Sequence, residues 1–565
     1  MMNMSTALNR IATFRKENRW QSRAIITLLV LILILGITRI LLSPTIIYGT
    51  TSWLKKQGIE STIEDINIDI TDGTVSLINA RGFTDGTPLF NVGLVDIYWH
   101  WAPLSERTIV VTKVGLDNLE VNIEKYSDEL IVGGVRIPLG EKTVTEEETS
   151  REEEDKKIKQ WAASLGELIF SNMNVCYLQH NTSHQQASRE TLFVDYCVDL
   201  EKVSWSGSVS YAADKDLLDS DDIPISSTGE FSLDGLVITD NQLERKLLSS
   251  ESNTLKNVVV KGLNSLHIDE LEMNRLSLLQ RDDDKHVDSI RFSQLTIDDI
   301  NLNQLNTLSI NDIEMKAPGL YLVKQNQTDW EYQQWIPSAA DSKNPEEDKP
   351  VEAEDKTQAP FKVSLNNIEV NDADLCYQDN SRSIYYCLTF ASFDWDGSIK
   401  YDTETSDNDD INLLLKGGLA LSQPNIRNHS ISRNLLSIDT LSLKELDVSG
   451  INNAVLQNLS IDKLAALQRS DNADDNTAAF EKLSIDDIHY TGKKIAIKSI
   501  ALDGLANKVS INKDGSWEHD KWTVQSKTEK SAGEDGSQAT KQPARDEPFI
   551  IALQELTINS DKEII

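Results

Sequence analysis

Four cysteines, Cys176, Cys197, Cys376 and Cys387, are the residues of this 565-residue chain best placed for covalent chemistry. An even count in an oxidising compartment suits two disulfides, and no Cys-x-x-Cys redox pair is present. His180 and His184 have the i,i+4 spacing of a zinc pair, but QHNTSHQQAS lacks helical periodicity and reads as a solvent-exposed polar loop. Three acidic groups, Asp219 with Asp221 and Asp222, Asp282 to Asp284, and Asp407 with Asp409 and Asp410, lack the twelve-residue calcium-loop pattern and read as solvated turns. Asp69-Ile70-Thr71-Asp72-Gly73 has the look of a calcium loop, yet its isoleucine neighbours put it on a strand and turn. There is no phosphate-binding glycine loop, nucleophile elbow or metalloprotease helix. The expectation is a protein without catalytic residues, cofactor or metal.

What remains is an apolar pattern and the elements that carry it. INIDI and LEVNI alternate strictly, giving strands with one apolar and one polar face. Asp, Asn, Gly and Ser clusters separate them, as in antiparallel meanders. Helical signals are confined to the N-terminal apolar run, residues 45–57 and short pieces near 153–164. A variant pattern breaks the alternation every five residues: Leu266, Ile268, Leu271, Met273, Leu276, Leu278, and again Leu436, Ile438, Leu441, Leu443, Leu446, Val448. Each break reads as a bulge or tight turn that returns the apolar side chains to one face; a β-solenoid with five-residue rungs is the rival. The candidate groove-lining residues are Leu266, Ile268, Leu271, Met273, Leu436, Ile438, Leu441 and Leu443. Trp205 and Trp395, each two residues before a glycine, read as packing aromatics.

The chain repeats itself. Val203 to Tyr211 matches Phe393 to Tyr401 at an offset of 190; Leu279-Gln280-Arg281 matches Leu467-Gln468-Arg469, and Trp330-Glu331 matches Trp517-Glu518, at 187–188. The repeat makes Cys176–Cys197 and Cys376–Cys387 the simplest pairing, with the two other pairings and free thiols open. Charged stretches poor in apolar residues follow the units and read as linkers. The expected organisation is a basic N-terminus 1–23, a transmembrane helix 24–43, an N-terminal β domain 44–140, an acidic linker 141–158, β repeat units at 159–337 and 360–524 separated by the linker 338–359, a polar linker 525–547, and the start of a third unit at 548–565.

The run from Ala24 to Ser43 is long enough to cross ~30 Å of hydrocarbon. Arg19 and Arg23 flank its start and Arg39 lies near its end, within snorkelling reach of the interface. Residues before the span carry +4, so the rest carries −39 of the net −35; the positive-inside rule keeps the short end in the cytoplasm and exports the bulk. Such acidity excludes a general nucleic-acid binder. A sheet with one apolar face is satisfied by a sandwich or by a curled ribbon lined for acyl chains. Repetition, few helices and an anchor at one end favour the ribbon.

The segment from Pro44 to Pro138 resembles the N-terminal region of AsmA-like bacterial envelope proteins. It carries Trp53-Leu54-Lys55-Lys56-Gln57-Gly58-Ile59, the strand Ile66 to Ile70 with the turn Asp72-Gly73, then Thr84 to Phe90, Trp101-Ala102-Pro103-Leu104 and Leu116 to Glu124. The resemblance implies a mainly β fold: a single transmembrane helix followed by a repetitive, elongated, curled antiparallel sheet forming a groove, akin to chorein-type bridge-like lipid transfer proteins. It also implies a single-pass protein of the bacterial inner membrane, with its bulk in the periplasm, taking phospholipids as partners and helping to move them toward the outer membrane. A chaperone-like factor meeting outer-membrane proteins or their assembly machinery is the alternative.

Overall fold

The computed structural model describes residues 27, 41–69, 71–101, 103–104, 107–139, 162–180, 182, 192–211, 225–262, 264–281, 288–335, 360–403, 411–508, 510–511, 513–517 and 549–560. The fold is mainly β, and the chain divides into two compact units, Met1–Cys197 and Val198–Ile565. No helix among the described residues is long and apolar enough to cross a membrane. Most of 24–43, including Arg39, lies outside the described residues, as do Arg19, Arg23 and all three linkers.

In the first unit a helix over 41–56 ends at Gly58, whose φ of 85° suits glycine, and Leu54 and Ile59 are buried beside it. Four antiparallel strands follow: β1 (Glu60–Asp69), β2 (Thr74–Thr84), β3 (Thr87–His100) and β4 (Thr108–Lys125). A hairpin, β5 (Glu129–Val132) and β6 (Val135–Pro138), pairs with the end of β4. Then β7 (Ala162–His180) lies parallel to β4. Residues 162–164 therefore open a strand rather than close the short helix expected there.

β8 (Leu192–Tyr211) carries the chain into the second unit. There β9 (Ile225–Asp240), β10 (Arg245–Lys261), β11 (Ser265–Gln280), β12 (Asp288–Asn303), β13 (Thr307–Lys316) and β14 (Gly319–Lys324) precede a 3-10 turn at Glu331–Trp335. They are followed by β15 (Lys362–Asp379), β16 (Ile384–Asp402), β17 (Asn412–Ser422), β18 (Asn425–Asn428), β19 (Arg433–Ser437) and β20 (Thr440–Ser449). Last come β21 (Ala454–Gln468), β22 (Asn476–Tyr490), β23 (Lys494–Asp503), β24 (Ala506–Asn507) and β25 (Ile550–Asn559). Strands of 15–20 residues laid side by side are not five-residue solenoid rungs.

An all-antiparallel sheet is not what forms. β15 runs parallel to β13 and β14, and β25 parallel to β23, as β7 does to β4. The physical reason is connectivity. β7, β15 and β25 each begin at the end where β4, β13 and β23 began, and such a parallel join requires a crossover.

Tight hairpin ends are held by side-chain acceptors. Asp379, 1% exposed, accepts from the N–H of Ser381 and Arg382 and from Ser381 Oγ at 3.0, 3.2 and 2.6 Å. Its hydrogen bond from the Ser381 hydroxyl, ahead of the backbone donors, holds the carboxyl below the usual range. Asp69 accepts from Thr71 and Asp72 in the same way, an Asx turn.

Candidate functional site: an apolar strand face

The register aligns apolar residues from strand to strand. In the second unit Phe231 pairs with Leu255, then in turn Leu271, Ile297, Ile313 and Ile368, reaching Trp395 on β16. The row continues through Leu419, Leu443, Leu459, Ile485, Ile500 and Leu556. Thirteen strand positions at ~4.8 Å make it about 58 Å wide. A second row runs through Met273, Leu295, Met315, Val370, Phe393 and Leu421 to Leu441, Ile461, Leu483, Leu502 and Ile558. The first unit repeats the design, with Ile66, Leu77, Val95, Leu116 and Phe170 in one row and Ile68, Val75, Ile97, Val114 and Leu168 in the next.

One residue along each strand, on the other face, the second unit's row is polar or small. It reads Thr254, Glu272, Thr296, Glu314, Glu369 and Asp394, then Ala420, Ser442, Ser460, Ser484, Ala501 and Thr557. Acid crowds this face locally. Burial, then Glu270, Asp312 and Glu314, push the Asp298 carboxyl above its ordinary range.

The apolar row is not a packed core. Of its thirteen residues Trp395 is buried, Leu556 is exposed and the other eleven are half-buried. Among the described elements, substantial contacts join each strand to its hydrogen-bonded neighbours and β14 to the Glu331–Trp335 turn; no second layer packs on the face. A sandwich would have buried this row completely.

Four of the eight sequence-derived groove residues fall into these rows, though not in the expected correspondence. Leu271 shares a row with Leu443, and Met273 shares one with Leu441. Leu436 pairs with Ile426 and Ala466, Leu266 with Val260 and Leu302, and Ile268 with Ile300. Ile438 sits between β19 and β20, and it and Ile268 are buried. The shared five-residue pattern equated β11 with β19–β20, which run in opposite directions. At the 188-residue offset of the repeat, the counterpart of β11 is β21.

The breaks in alternation are real devices. His267 bonds Asp269, Asn257 bonds Asp269, and Lys256 bonds Glu270, so Asp269 and Glu270 both lie on the polar face. Leu266, Ile268, Leu271 and Met273 thereby share the other. Arg275 takes a φ of 49° at the next break and Glu445 a φ of 52° between Leu443 and Leu446.

Cys176 joins Cys197 and Cys376 joins Cys387, and none of the four is a free thiol. Cys376 and Cys387 are register partners beside the apolar pair Leu375 and Leu388, so their bridge clamps the strands from the opposite face. Asp374 lies near these sulfurs, but a disulfide offers no thiolate to a metal. His180 stacks on Tyr126 at 4.9 Å, while His184 and the three acidic groups lie outside the described residues.

Two features escaped the sequence reading. One is a glycine pair beside each tryptophan: a Cβ on Gly397 would stand 2.2 Å from Lys416 O and 2.5 Å from Gly417 Cα, and one on Gly207 would meet Thr228 O and Gly229 Cα at the same distances. Only glycine permits strands to approach and bend this closely. The other is Arg281–Glu331, with Nε to Oε2 at 3.2 Å and the side chains 5% and 4% exposed, which ties the turn after β14 to β11. The recurrence of Gln-Arg and Trp-Glu was the available signal, without any indication that the two motifs meet.

No family model matches the chain, and no curated protein matches it.

Proposed function

We propose that this chain binds the acyl chains of phospholipids along its apolar strand face and helps transfer lipid across the envelope. In this reading it is an AsmA-like, single-pass protein of the bacterial inner membrane. Residues 24–43 form its anchor, and the bulk extends through the periplasm toward the outer membrane. The observation that carries the reading is the row from Phe231 to Leu556: laterally continuous, apolar at every position, and half-buried at eleven of its thirteen positions. Water against such a surface is costly, and each methylene buried there contributes about 0.8 kcal/mol. A ligand that slides from strand to strand exposes no new apolar surface, so movement needs no catalytic group. The polar face opposite keeps the ribbon in water.

The test is the full-length protein in detergent, assayed for co-purified phospholipid by mass spectrometry. Leu443→Asp should remove most bound lipid, while Ser442→Asp, next in sequence but on the other face, should leave it. Equal retention by both folded variants would refute the reading.

A further inference from the structure

β25 and β15 are equivalent strands of the repeat. Ile551, Leu553, Leu556 and Ile558 stand where Val363, Leu365, Ile368 and Val370 stand, and β25 lies parallel to β23 as β15 does to β13. On the far side of β15 the sheet goes on. Tyr401, Ile399, Trp395 and Phe393 of β16 stand beside those four residues, and all four are half-buried. β25 has no strand on its far side among the described residues, and Ile551, Leu553, Leu556 and Ile558 are 68%, 41%, 57% and 52% exposed. A bare apolar edge with unpaired N–H and C=O groups is a template for another strand. β1, which pairs with β2 alone, is guarded: Glu60, Glu64 and Asp65 stud it and Ile66 is buried. β25 carries a single charge, at Glu555.

The order of residues in β25 says what fits beside it. From Ile551 to Ile558 the strand reads Ile-Ala-Leu-Gln-Glu-Leu-Thr-Ile, apolar at the same places in either direction. Laid antiparallel on itself about the Gln554–Glu555 midpoint, it sets Ile551 against Ile558, Leu553 against Leu556, Ala552 against Thr557 and Gln554 against Glu555. Directly opposed residues share a face, so all four apolar residues meet apolar partners. Each carboxylate meets an amide instead of another carboxylate, and the break in alternation at 554–555 falls opposite itself. No other antiparallel register matches all four. Leu553 also heads an apolar row through Ile497, Ile488, Leu456 and Leu446, so the row that reaches Leu556 continues into its neighbour's. We infer that β25 is a self-association edge, at which two copies of this chain join through antiparallel β25 strands. The contact is isologous, with the two-fold axis at its centre, and makes one sheet with a common apolar face.

The experiment uses the full-length protein in detergent, whose four native cysteines are all in disulfides. Ala552→Cys with Thr557→Cys places thiols directly opposite one another between copies, while within one chain they lie roughly 17 Å apart along the strand. Under mild oxidation the double variant should run as a covalent dimer on non-reducing gels. Each single variant should stay monomeric on the gel, and mixing the two singles should restore the dimer band. Leu553→Lys with Leu556→Lys sets lysines against one another across the joint and should abolish the dimer that the wild type shows in sedimentation, with circular dichroism unchanged. A wild type that sediments as a monomer overturns the inference. So does a dimer that keeps its size in the lysine variant, or one that forms no cross-link between positions 552 and 557. The cross-link decides the matter even where the lysine variant loses its fold.

Discussion

The second unit contains two copies of one design, and their differences are more informative than their likeness. Left-handed backbone recurs at matching positions 187–188 residues apart: Glu244 and Ser432, Asn257 and Glu445, Arg275 and Lys463, Leu279 and Leu467, Asp299 and Asp487. The same is true of Gly235 and Gln423, and of Ala317 and Gly504. At these last two pairs the chemistry is exchanged. The first copy has Gly235-Leu236 and Ala317-Pro318; the second has Gln423-Pro424 and Gly504-Leu505. Backbone geometry is kept while the residue that accommodates it changes. Pro424 has no N–H to give, which is why β9 is one strand in the first copy and its counterpart is split into β17 and β18. The bend is thus a requirement of the architecture, and glycine or proline is only one way of meeting it.

Strands that must touch leave less freedom. Gly397→Val, or Gly207→Val in the other copy, drives a side chain into facing backbone and should cost at least ~3 kcal/mol in urea unfolding followed by tryptophan fluorescence. Similar losses in both copies would show that the two bends are equivalent.

The turn attachments should differ. Glu331→Ala removes the carboxylate paired with the buried Arg281 and should destabilise the segment after β14 by about 3 kcal/mol, seen as faster amide exchange there. In the second copy Arg469 meets Asp475 at 3.5 Å and donates to Ser510 Oγ at 2.8 Å in a more exposed setting. Asp475→Asn should change stability there by far less than Glu331→Ala does in the first copy.

The polar faces give a pH contrast. Asp298 stands among Glu270, Asp312 and Glu314, whereas its counterpart Asp486 accepts from Asn458 Nδ2 at 2.7 Å and Ser499 Oγ at 3.0 Å. Because the folded state raises the Asp298 carboxyl, folding binds its proton more tightly than the unfolded chain does. Stability from this group therefore falls as pH rises from the ordinary Asp range through the raised folded value. Asp298→Asn should stabilise at neutral pH, with the gain vanishing in acid. Asp486→Asn should instead weaken the fold by about 1 kcal/mol at neutral pH. Denaturation midpoints across pH distinguish the two.

The effect at Gln423 is small: Gln423→Gly should stabilise by about 1 kcal/mol by relieving left-handed strain, whereas Gly235→Gln should cost more than that, because its Cβ would also stand 2.6 Å from Glu201 Cβ, both by thermal unfolding. Opposite signs at matched positions would confirm a shared backbone.

Much of this was legible in residues. Alternation in INIDI and LEVNI gave the strands, and the recurrence of Trp205 at Trp395 gave the repeat, because period two and duplication are local properties. The parallel joins were not legible, since they depend on where the chain lands after segments such as 338–360. The breaks at Arg275 and Glu445 were marked by the five-residue pattern, but not their left-handed backbone, because ordinary side chains occupy them, as one does at Gln423. The row from Phe231 to Leu556 was also hidden: each strand shows its own apolar residues, but only the register shows that they align. The mistaken match of β11 with β19–β20 has the same origin, since both strands obey the same face rule while running in opposite directions.

The central claim is that lipid chains occupy one face of the ribbon. The most direct measurement replaces Leu443 or, separately, its neighbour Ser442 with a photo-crosslinking amino acid in the full-length protein in living cells, followed by mass spectrometry of the adducts. A phospholipid adduct at position 443 and none at 442 is the result expected. Absence of lipid adducts at 443, or equal adducts at both positions, would contradict it.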